Sequence, residues 1–307
     1  MRLHALMAAA AALVVAGTLP AVADRFDETP RIAVISAFPP EWPALMARLE
    51  RDATHTDNGV EFVTGTIAGE DVVLFLSGVS MVNAAMTTQL ALERFNIEAI
   101  AFSGIAGGVD PELSLGDLVV ADRWGPYLHM VIAREENGAY TVPSFYEKPF
   151  ANFGMMFTQP VEVRREGSDG FEEIFWFPTD PGLLAVAQRA AASVELKACD
   201  EAGTCLTEPP EVVMGGNGVS GSAFVDNAEF REHVSATFDA KVLDMESAAV
   251  AQVAHANGVP FIAFRALSDL AGGGDHADEM STFLAIAAEN SAAMVEAFLE
   301  ARAAGPQ

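Results

Sequence analysis

Basic residues are scarce in this sequence. It has 17 lysines and arginines against 43 aspartates and glutamates, which gives a formal net charge of −26 at pH 7. A surface of that sign repels phosphate backbones and anionic lipids, so it excludes nucleic acid and anionic membranes as partners. The acidity indicates no particular small ligand, and it is typical of a well-solvated surface.

Cysteine is almost absent, since the 307 residues contain only Cys199 and Cys205. Two cysteines this close, with the turn-forming Gly203 between them, favour one small local disulfide in an oxidising compartment. A metal site is the weaker alternative, because two thiolates supply half of a zinc site. The six histidines show no H-E-x-x-H or similar ligand spacing. We therefore expect neither a metal nor a cofactor.

Two common catalytic signatures are also missing. The glycine-rich stretch 103–109 lacks the G-x-G-x-x-G spacing of dinucleotide-binding sites. The serine-containing stretches 78–82 and 218–222 lack the G-x-S-x-G of hydrolase nucleophile elbows. Glycines where a strand ends still allow backbone N–H groups to approach a ligand closely, with a simple tight turn as the alternative for 103–109.

The N-terminus has the parts of a secretory signal peptide. A short basic start precedes an apolar run over residues 5–19, and Ala21-Val22-Ala23 forms a small-x-small cleavage site. The run is shorter than the roughly 20 residues that span a bilayer, which makes a retained membrane anchor the weaker alternative. We expect residues 1–23 to be removed, so that the mature protein begins near Asp24. We expect that protein to be periplasmic or secreted and free of membrane.

Strands and helices alternate along residues 24–307, which we interpret as a single domain. Short apolar runs predict strands at 31–37, 59–66, 71–76, 98–102, 113–121, 241–243 and 259–266, and one more within 211–225. Longer segments predict helices at 41–51, 81–95, 181–196, 227–234, 245–256 and 280–301. The alternation predicts an α/β fold, a three-layer α/β/α sandwich around a central mixed, largely parallel sheet.

Residues at about 123–180 form an aromatic-rich insert in this pattern. All three tyrosines and two of the three tryptophans fall here, among prolines and polar turns. We interpret the insert as strands and long loops that cover one edge of the sheet. A pocket lid, a subunit contact and a satellite hydrophobic cluster are the three roles left open.

Charged residues are concentrated in two otherwise apolar segments, 242–249 and 265–269. The first opens a predicted helix and contains Asp244 and Glu246, and the second ends a predicted strand and contains Arg265 and Asp269. Charged side chains beside a core strand require neutralising partners or a functional role. The two segments therefore indicate a functional centre. The plainer interpretations are an Arg265–Asp269 ion pair and, for Glu246, a carboxylate favoured by a helix dipole.

Three further residues are ambiguous when each is taken alone. Glu41 follows the first predicted strand and precedes a helix, which is where α/β proteins bind ligands. A surface carboxylate favoured by the helix dipole is an equal alternative for Glu41. Met245 and Phe224, considered singly, are more typical of a hydrophobic core than of a ligand site.

Six short motifs resolve much of this ambiguity because they occur in an order typical of one superfamily. They are Ile32-Ala33-Val34-Ile35-Ser36-Ala37 followed by Glu41, Gly104-Ile105-Ala106-Gly107-Gly108, Leu115-Gly116-Asp117-Leu118-Val119-Val120, Ser220-Gly221-Ser222-Ala223-Phe224-Val225, Asp244-Met245-Glu246, and Val259-Pro260-Phe261 leading into Arg265-Ala266-Leu267-Ser268-Asp269. With them, residues 31–299 resemble the nucleoside phosphorylase/nucleosidase superfamily, and most of all the 5′-methylthioadenosine/S-adenosylhomocysteine nucleosidases.

The resemblance implies a catalytic pair. Asp269 matches the acid that hydrogen-bonds the purine N7 and donates a proton there, and Glu41 matches the carboxylate that activates the attacking water. Arg265 and Ser268 match supporting residues that hold the carboxylates in place. An acid at the leaving base and a carboxylate near water are also what cleavage of an N-glycosidic bond requires.

The resemblance also implies substrate-binding residues. Glu246 matches the carboxylate that binds the ribose hydroxyls, and Met245 the thioether that packs against the sugar. Phe224 matches the aromatic residue that stacks on the base, while the backbone of Val225 matches the group that reads the base edge. The loop of Ile105, Ala106 and Gly107 matches the one beside the sugar, although Ile105 stands where Ser or Thr is common.

We therefore expect an N-glycosyl hydrolase that releases adenine from 5′-methylthioadenosine, S-adenosylhomocysteine or a related nucleoside. A phosphate-dependent phosphorylase is the first alternative, but stretches 36–43 and 77–82 contain no arginine for phosphate. A non-catalytic exported nucleoside-binding or storage protein is the second. The resemblance further implies a homo-oligomer, with a dimer favoured.

Overall fold

The computed structural model describes residues 25–274 and 278–305. The predicted signal peptide, residues 1–23, and its cleavage site lie outside the described residues.

The first part of the chain builds the centre of a large sheet. Its strands are β1 (Asp27–Ser36), β2 (Glu50–Asp57), β3 (Val60–Ile67), β4 (Glu70–Leu76), β5 (Phe95–Gly108) and β6 (Leu118–Val120). Its helices are a 3-10 turn (Pro39–Glu41), α1 (Trp42–Met46) and α2 (Met81–Arg94). The helix predicted at 41–51 is therefore too long. Residues from Glu50 onward leave the helical pattern because they pair with β3, with Glu50 opposite Thr66.

The aromatic-rich insert adds small strands to one edge. They are β7 (Arg123–Gly125), β8 (Met130–Ile132), β9 (Arg134–Glu136), β10 (Ala139–Thr141), β11 (Met156–Thr158), β12 (Val161–Arg164), β13 (Phe171–Ile174) and β14 (Phe177–Pro178). Strands β7 and β14 join the main sheet, while β8–β11, β9–β10 and β12–β13 form separate antiparallel pairs. The inner side of the insert, with Tyr127 and Phe175, packs on Val219 and Phe238 in a hydrophobic cluster of its own.

The last part of the chain supplies the remaining elements. They are α3 (Pro181–Ala191), β15 (Val212–Met214), β16 (Asn217–Ser220), α4 (Ala228–Phe238), β17 (Ala240–Asp244), α5 (Ser247–Asn257), β18 (Phe261–Asp269) and α6 (Glu279–Ala303). Helix α5 ends at a left-handed residue, Gly258, with φ of 68°. Between α3 and β15 the predicted disulfide Cys199–Cys205 is present.

The main sheet has twelve strands and is mixed, as predicted. Its principal order is β14-β7-β16-β17-β5-β1-β4-β3-β2, and β18 pairs with β5 and β6. Strands β1 and β18 both run parallel to β5 and flank it on either side, whereas β17 pairs with β5 antiparallel. Because β17 and β18 pair with its end, β5 continues as strand to Gly108, where the sequence predicted a loop from Ser103.

Helices cover both faces of this sheet. Helices α2 and α5 pack through small residues such as Ala84 and Ala251 on one face. Helices α1, α3 and α6 pack on the other, through Leu45, Leu183 and Val295. This confirms the predicted three-layer α/β/α arrangement, and it leaves the carboxyl ends of the central strands open between the layers.

Candidate active site

A cavity of about 240 Å³ lies where the carboxyl ends of β1, β5 and β18 meet the N-termini of α2 and α5. All eleven residues that the sequence predicted for the site line it: Glu41, Ile105, Ala106, Gly107, Phe224, Val225, Met245, Glu246, Arg265, Ser268 and Asp269. They come from five separate segments of the chain between Glu41 and Asp269, and the sheet topology brings them together. None of the described residues lining the cavity comes from 123–180.

Glu41 is buried in the cavity wall with 3% of its surface exposed. The 3-10 turn Pro39–Glu41 folds its carboxylate back over the end of β1, where Oε2 accepts hydrogen bonds from the Ser36 hydroxyl and the Phe38 N–H (2.9 Å). Its Oε1 accepts the Ile105 N–H from β5 at 2.8 Å. The alternative of a surface helix-dipole carboxylate is therefore wrong. Glu41 is fixed with its carboxylate at the cavity.

Arg265 is the cation of the site and is only 1% exposed. Its Nε lies 2.7 Å from Asp244 Oδ2 and donates to the Ser247 hydroxyl at 2.9 Å. The guanidinium carbon lies 4.0 Å from the centre of the Phe102 ring. The alternative of an Arg265–Asp269 ion pair is thus not what the structure shows, since Asp244 is the partner.

Asp244 also organises the start of α5. Its Oδ1 accepts the N–H groups of Glu246 and Ser247, each at 3.1 Å, and the Ser220 hydroxyl at 2.5 Å. These bonds satisfy donors at a helix N-terminus that have no partner within the helix. They also fix the backbone on either side of Glu246, and this turns its side chain toward the cavity.

Glu246 is buried between positive and negative neighbours. Its Oε1 accepts the Ser80 N–H from the start of α2 at 2.8 Å, and its Oε2 lies 3.8 Å from Arg265 Nη2. Burial raises the pKa of Glu246 to about 7, with Asp244 adding to the rise and Arg265 opposing it. The group is therefore poised to change charge near neutral pH.

Asp269 ends β18 at the opposite side of the cavity from β1 and is 9% exposed. Its Oδ1 accepts the Ala271 N–H at 2.9 Å, and its Oδ2 accepts the Ser268 hydroxyl at 3.0 Å. Burial raises the pKa of Asp269 above its ordinary value, against the lowering effect of these two hydrogen bonds. The position favours the protonated acid that the sequence predicted.

Two glycines of the predicted site loop are required by close contacts. A Cβ at Gly104 would lie 2.0 Å from Arg265 Nη1 and 3.1 Å from Glu41 Oε1. A Cβ at Gly107 would lie 3.0 Å from Asp269 Oδ1. The glycines therefore allow the backbone of β5 to pass directly against all three charged side chains, and the simple tight turn is excluded.

The base loop after β16 carries the aromatic residue predicted to stack on the purine. Phe224 is 59% exposed at the cavity, whereas Val225 is buried beside it. Beneath the loop, Gly221 packs against Leu128, where a Cβ would meet Leu128 Cγ at 2.4 Å. The Ser222 hydroxyl accepts the Met81 N–H at 3.4 Å, which ties the loop to α2.

Sequence reasoning missed several apolar residues of the cavity wall. They are Ala37, Phe38, Val79, Ala223, Leu243 and Met280. Phe38 could have been found from its place beside the Pro-Pro-Glu turn. The others carry no local signal, because an apolar residue at a strand or helix end looks the same in a core and in a cavity.

Comparisons with known proteins agree with this geometry. The sequence matches the family described as the Phosphorylase superfamily over residues 31–300. It is 31% identical over 275 residues to the 5′-methylthioadenosine/S-adenosylhomocysteine nucleosidase of Tolumonas auensis, covering 88% of this chain and 99% of the relative. The nucleosidase of Shewanella sediminis is 31% identical over 272 residues, with the same coverage.

Solved structures give the same result. The nucleosidase of S. pneumoniae with the transition-state inhibitor MT-ImmA superposes with a TM-score of 0.67 at 26% identity, covering 89% of this chain and 99% of that one. The enzyme of Neisseria meningitidis in complex with methylthio-immucillin-A gives 0.67 at 28% identity, covering 88% and 98%. These matches confirm the resemblance seen in the six motifs. The chain belongs to the phosphorylase superfamily.

Proposed function

We propose that this protein hydrolyses the N-glycosidic bond of 5′-methylthioadenosine or S-adenosylhomocysteine and releases adenine. The observation that carries the proposal is the placement of two buried carboxylates, Glu41 and Asp269, on opposite sides of one cavity. Glu41 Oε1 accepts the Ile105 N–H, whereas Asp269 lies opposite Gly107, so the two carboxylates lie against different points of β5. Both line the cavity, which leaves the space between them for a nucleoside and a water.

Asp269 serves the leaving base. Its burial favours the protonated form, which donates to the purine N7 as the bond to the sugar breaks. The Ser268 hydroxyl and the Ala271 N–H orient the carboxyl group from behind. Neutralising the departing base in this way makes it a better leaving group. The sugar is left with the positive character of an oxocarbenium ion.

The other carboxylates serve the sugar and the water. Glu246 accepts hydrogen bonds from the ribose hydroxyls, and Met245 packs against the sugar ring. Glu41 accepts a proton from the water that attacks the anomeric carbon on the face away from the base, as a general base does in inverting glycosidases. The Arg265 guanidinium and the Glu41 carboxylate both lie against Gly104, and Arg265 also lies close to Glu246. Arg265 therefore offsets the negative charge of Glu41 and Glu246.

Water is favoured over phosphate as the nucleophile. Arg265 is the only basic residue among the described residues that line the cavity. Its Nε already contacts the Asp244 carboxylate and donates to the Ser247 hydroxyl. A phosphate dianion beside Glu41 would meet a carboxylate without a second cation to offset it. The position of Ile105 offers only its backbone, whose N–H is already donated to Glu41.

One assay tests the proposal against both alternatives. Mature protein is mixed with 5′-methylthioadenosine, S-adenosylhomocysteine, adenosine and inosine, with and without phosphate, and base release is followed. Release of adenine that is independent of phosphate supports hydrolysis. Release only with phosphate supports a phosphorylase, and tight binding without release supports a non-catalytic binding protein.

We further propose that the protein is exported and that it forms a homodimer. A disulfide such as Cys199–Cys205 persists in oxidising compartments, which supports a periplasmic or secreted protein that begins near Asp24. Val82 on α2 and Phe145 on the insert are 74% and 78% exposed, and such exposed apolar side chains support a homodimer in which a second copy covers them. N-terminal sequencing and light scattering test these two points, and a monomer in solution would exclude the second.

A further inference from the structure

A hydroxyl group is buried at the end of the otherwise apolar second half of strand β1. Residues 32–35 and Ala37 are buried and apolar, and Ser36 stands between them with 0% of its surface exposed. A buried hydroxyl requires a hydrogen-bond partner. Its partner is the Glu41 carboxylate, to which it donates. Ser36 is not among the described residues that line the cavity, so it reaches the cavity through Glu41.

The two oxygens of the Glu41 carboxylate have different surroundings. Oε2 accepts the Ser36 hydroxyl and two backbone N–H groups, that of Ala37 at 3.3 Å and that of Phe38 at 2.9 Å. Within the described part of the chain, Oε1 accepts one hydrogen bond, from the Ile105 N–H at 2.8 Å. A carboxylate oxygen has two lone pairs. The acceptor positions of Oε2 are therefore filled, and one remains on Oε1.

Oε1 is also the oxygen that lies toward the positive charge of the site. A Cβ added at Gly104 would lie 3.1 Å from Glu41 Oε1 and 2.0 Å from Arg265 Nη1, so both atoms lie against the same residue of β5. The water of the proposed reaction can donate to the remaining lone pair of Oε1 there. It finds no free lone pair on Oε2.

We infer that Ser36 is a positioning residue for the attack of water. The terminal torsion of a glutamate side chain is broad, so a carboxylate turns easily unless it is held. The Ser36 hydroxyl holds Oε2 of Glu41 and thereby keeps the free lone pair of Oε1 toward the cavity. A hydrogen bond to a charged oxygen is stronger than one between neutral groups, which suits this task. The inference rests on the proposed function for the identity of the nucleophile.

The Ser36→Ala substitution removes the hydroxyl and leaves the backbone donors to Oε2 in place. We expect kcat for 5′-methylthioadenosine to fall about 10-fold to 100-fold, because a small misplacement of a reacting group has an effect of this size. KM should not change, since in the proposed reaction the nucleoside contacts Glu246 and Asp269. Ser36→Thr keeps the hydroxyl and should retain most of the native kcat.

Ser103→Ala is the matched control. Ser103 is a serine of β5 that is 2% exposed, and its hydroxyl is hydrogen-bonded to that of Ser291 at 2.8 Å. It is not among the described residues that line the cavity. Each of the two Ala variants loses one buried hydroxyl, so the midpoint of unfolding in urea should fall by a similar amount in both. Only Ser36→Ala should lower kcat.

A double-mutant cycle separates positioning from a loss of packing. The Glu41→Gln background has no carboxylate to position, so adding Ser36→Ala should lower its residual kcat no further. A packing defect would lower kcat by the same factor in both backgrounds. Native kcat in Ser36→Ala, or an equal loss in both backgrounds, overturns the role of Ser36 and leaves the proposed function standing. If the native protein releases no adenine from any nucleoside, the proposed function has failed and this role fails with it.

Discussion

The Asp269→Asn substitution removes the proposed proton donor with little change to the fold. The Asn oxygen can still accept the Ala271 N–H, and its NH2 group can donate to the Ser268 hydroxyl, so both contacts of the native side chain persist. We therefore expect the free energy of unfolding to change by less than about 1 kcal/mol. The kcat should fall about 10²–10⁴-fold, which is the range for loss of one general acid.

The pH profile distinguishes a lost proton from a lost contact. Burial raises the pKa of Asp269, and the reaction uses the protonated form, so kcat of the native enzyme falls as pH rises through that raised pKa. The Asn variant has no proton to lose at this position, and its residual kcat lacks this decline. Adenine release, measured by chromatography under saturating 5′-methylthioadenosine, gives both profiles.

Asp226→Asn is the control for this experiment. Asp226 is an exposed carboxylate whose charge contributes to the raised pKa of Asp269, but it does not line the cavity. Its substitution should keep most of the activity and move the alkaline decline slightly toward lower pH. An Asp269→Asn enzyme with native kcat, or one that keeps the alkaline decline of the native enzyme, refutes the role of Asp269 as the acid.

Three further predictions follow from the geometry. Because the pKa of Glu246 is raised to about 7, KM for 5′-methylthioadenosine should fall as pH rises through that value, and Glu246→Gln should abolish the dependence. Gly104→Ala places a Cβ 2.0 Å from Arg265 Nη1 and should lower kcat about 100-fold, whereas Gly170→Ala, where a Cβ meets nothing within 4 Å, should be neutral. Replacing Cys199 and Cys205 by Ser should lower the free energy of unfolding in urea by about 2 kcal/mol through loss of a short closed loop, with activity kept.

The sequence was sufficient for the charged residues of the site because each lies in a short motif at the end of a predicted strand. Glu41 after β1 and Asp269 at the end of β18 are such residues, and their convergence follows from the rule that ligands bind at the carboxyl ends of strands. The three-layer fold followed from the alternation of strands and helices. These inferences needed only local patterns and their order.

The errors and omissions concern features that depend on pairing between distant segments. The polar strand β2 has no apolar pattern of its own and exists because β3 lies beside it. The partner of Arg265 could not be read from the sequence, since Asp244 and Asp269 are both acidic and only the register of β17 and β18 decides between them.

In the proposed reaction water, and not phosphate, attacks the sugar. The most direct test is to run the reaction with 5′-methylthioadenosine in water enriched in 18O and without phosphate, and to weigh the sugar product. We expect a free 5-methylthioribose that carries one 18O atom, formed at a rate that added phosphate does not change. If a sugar phosphate forms only when phosphate is present, or if no sugar product forms, water is not the nucleophile.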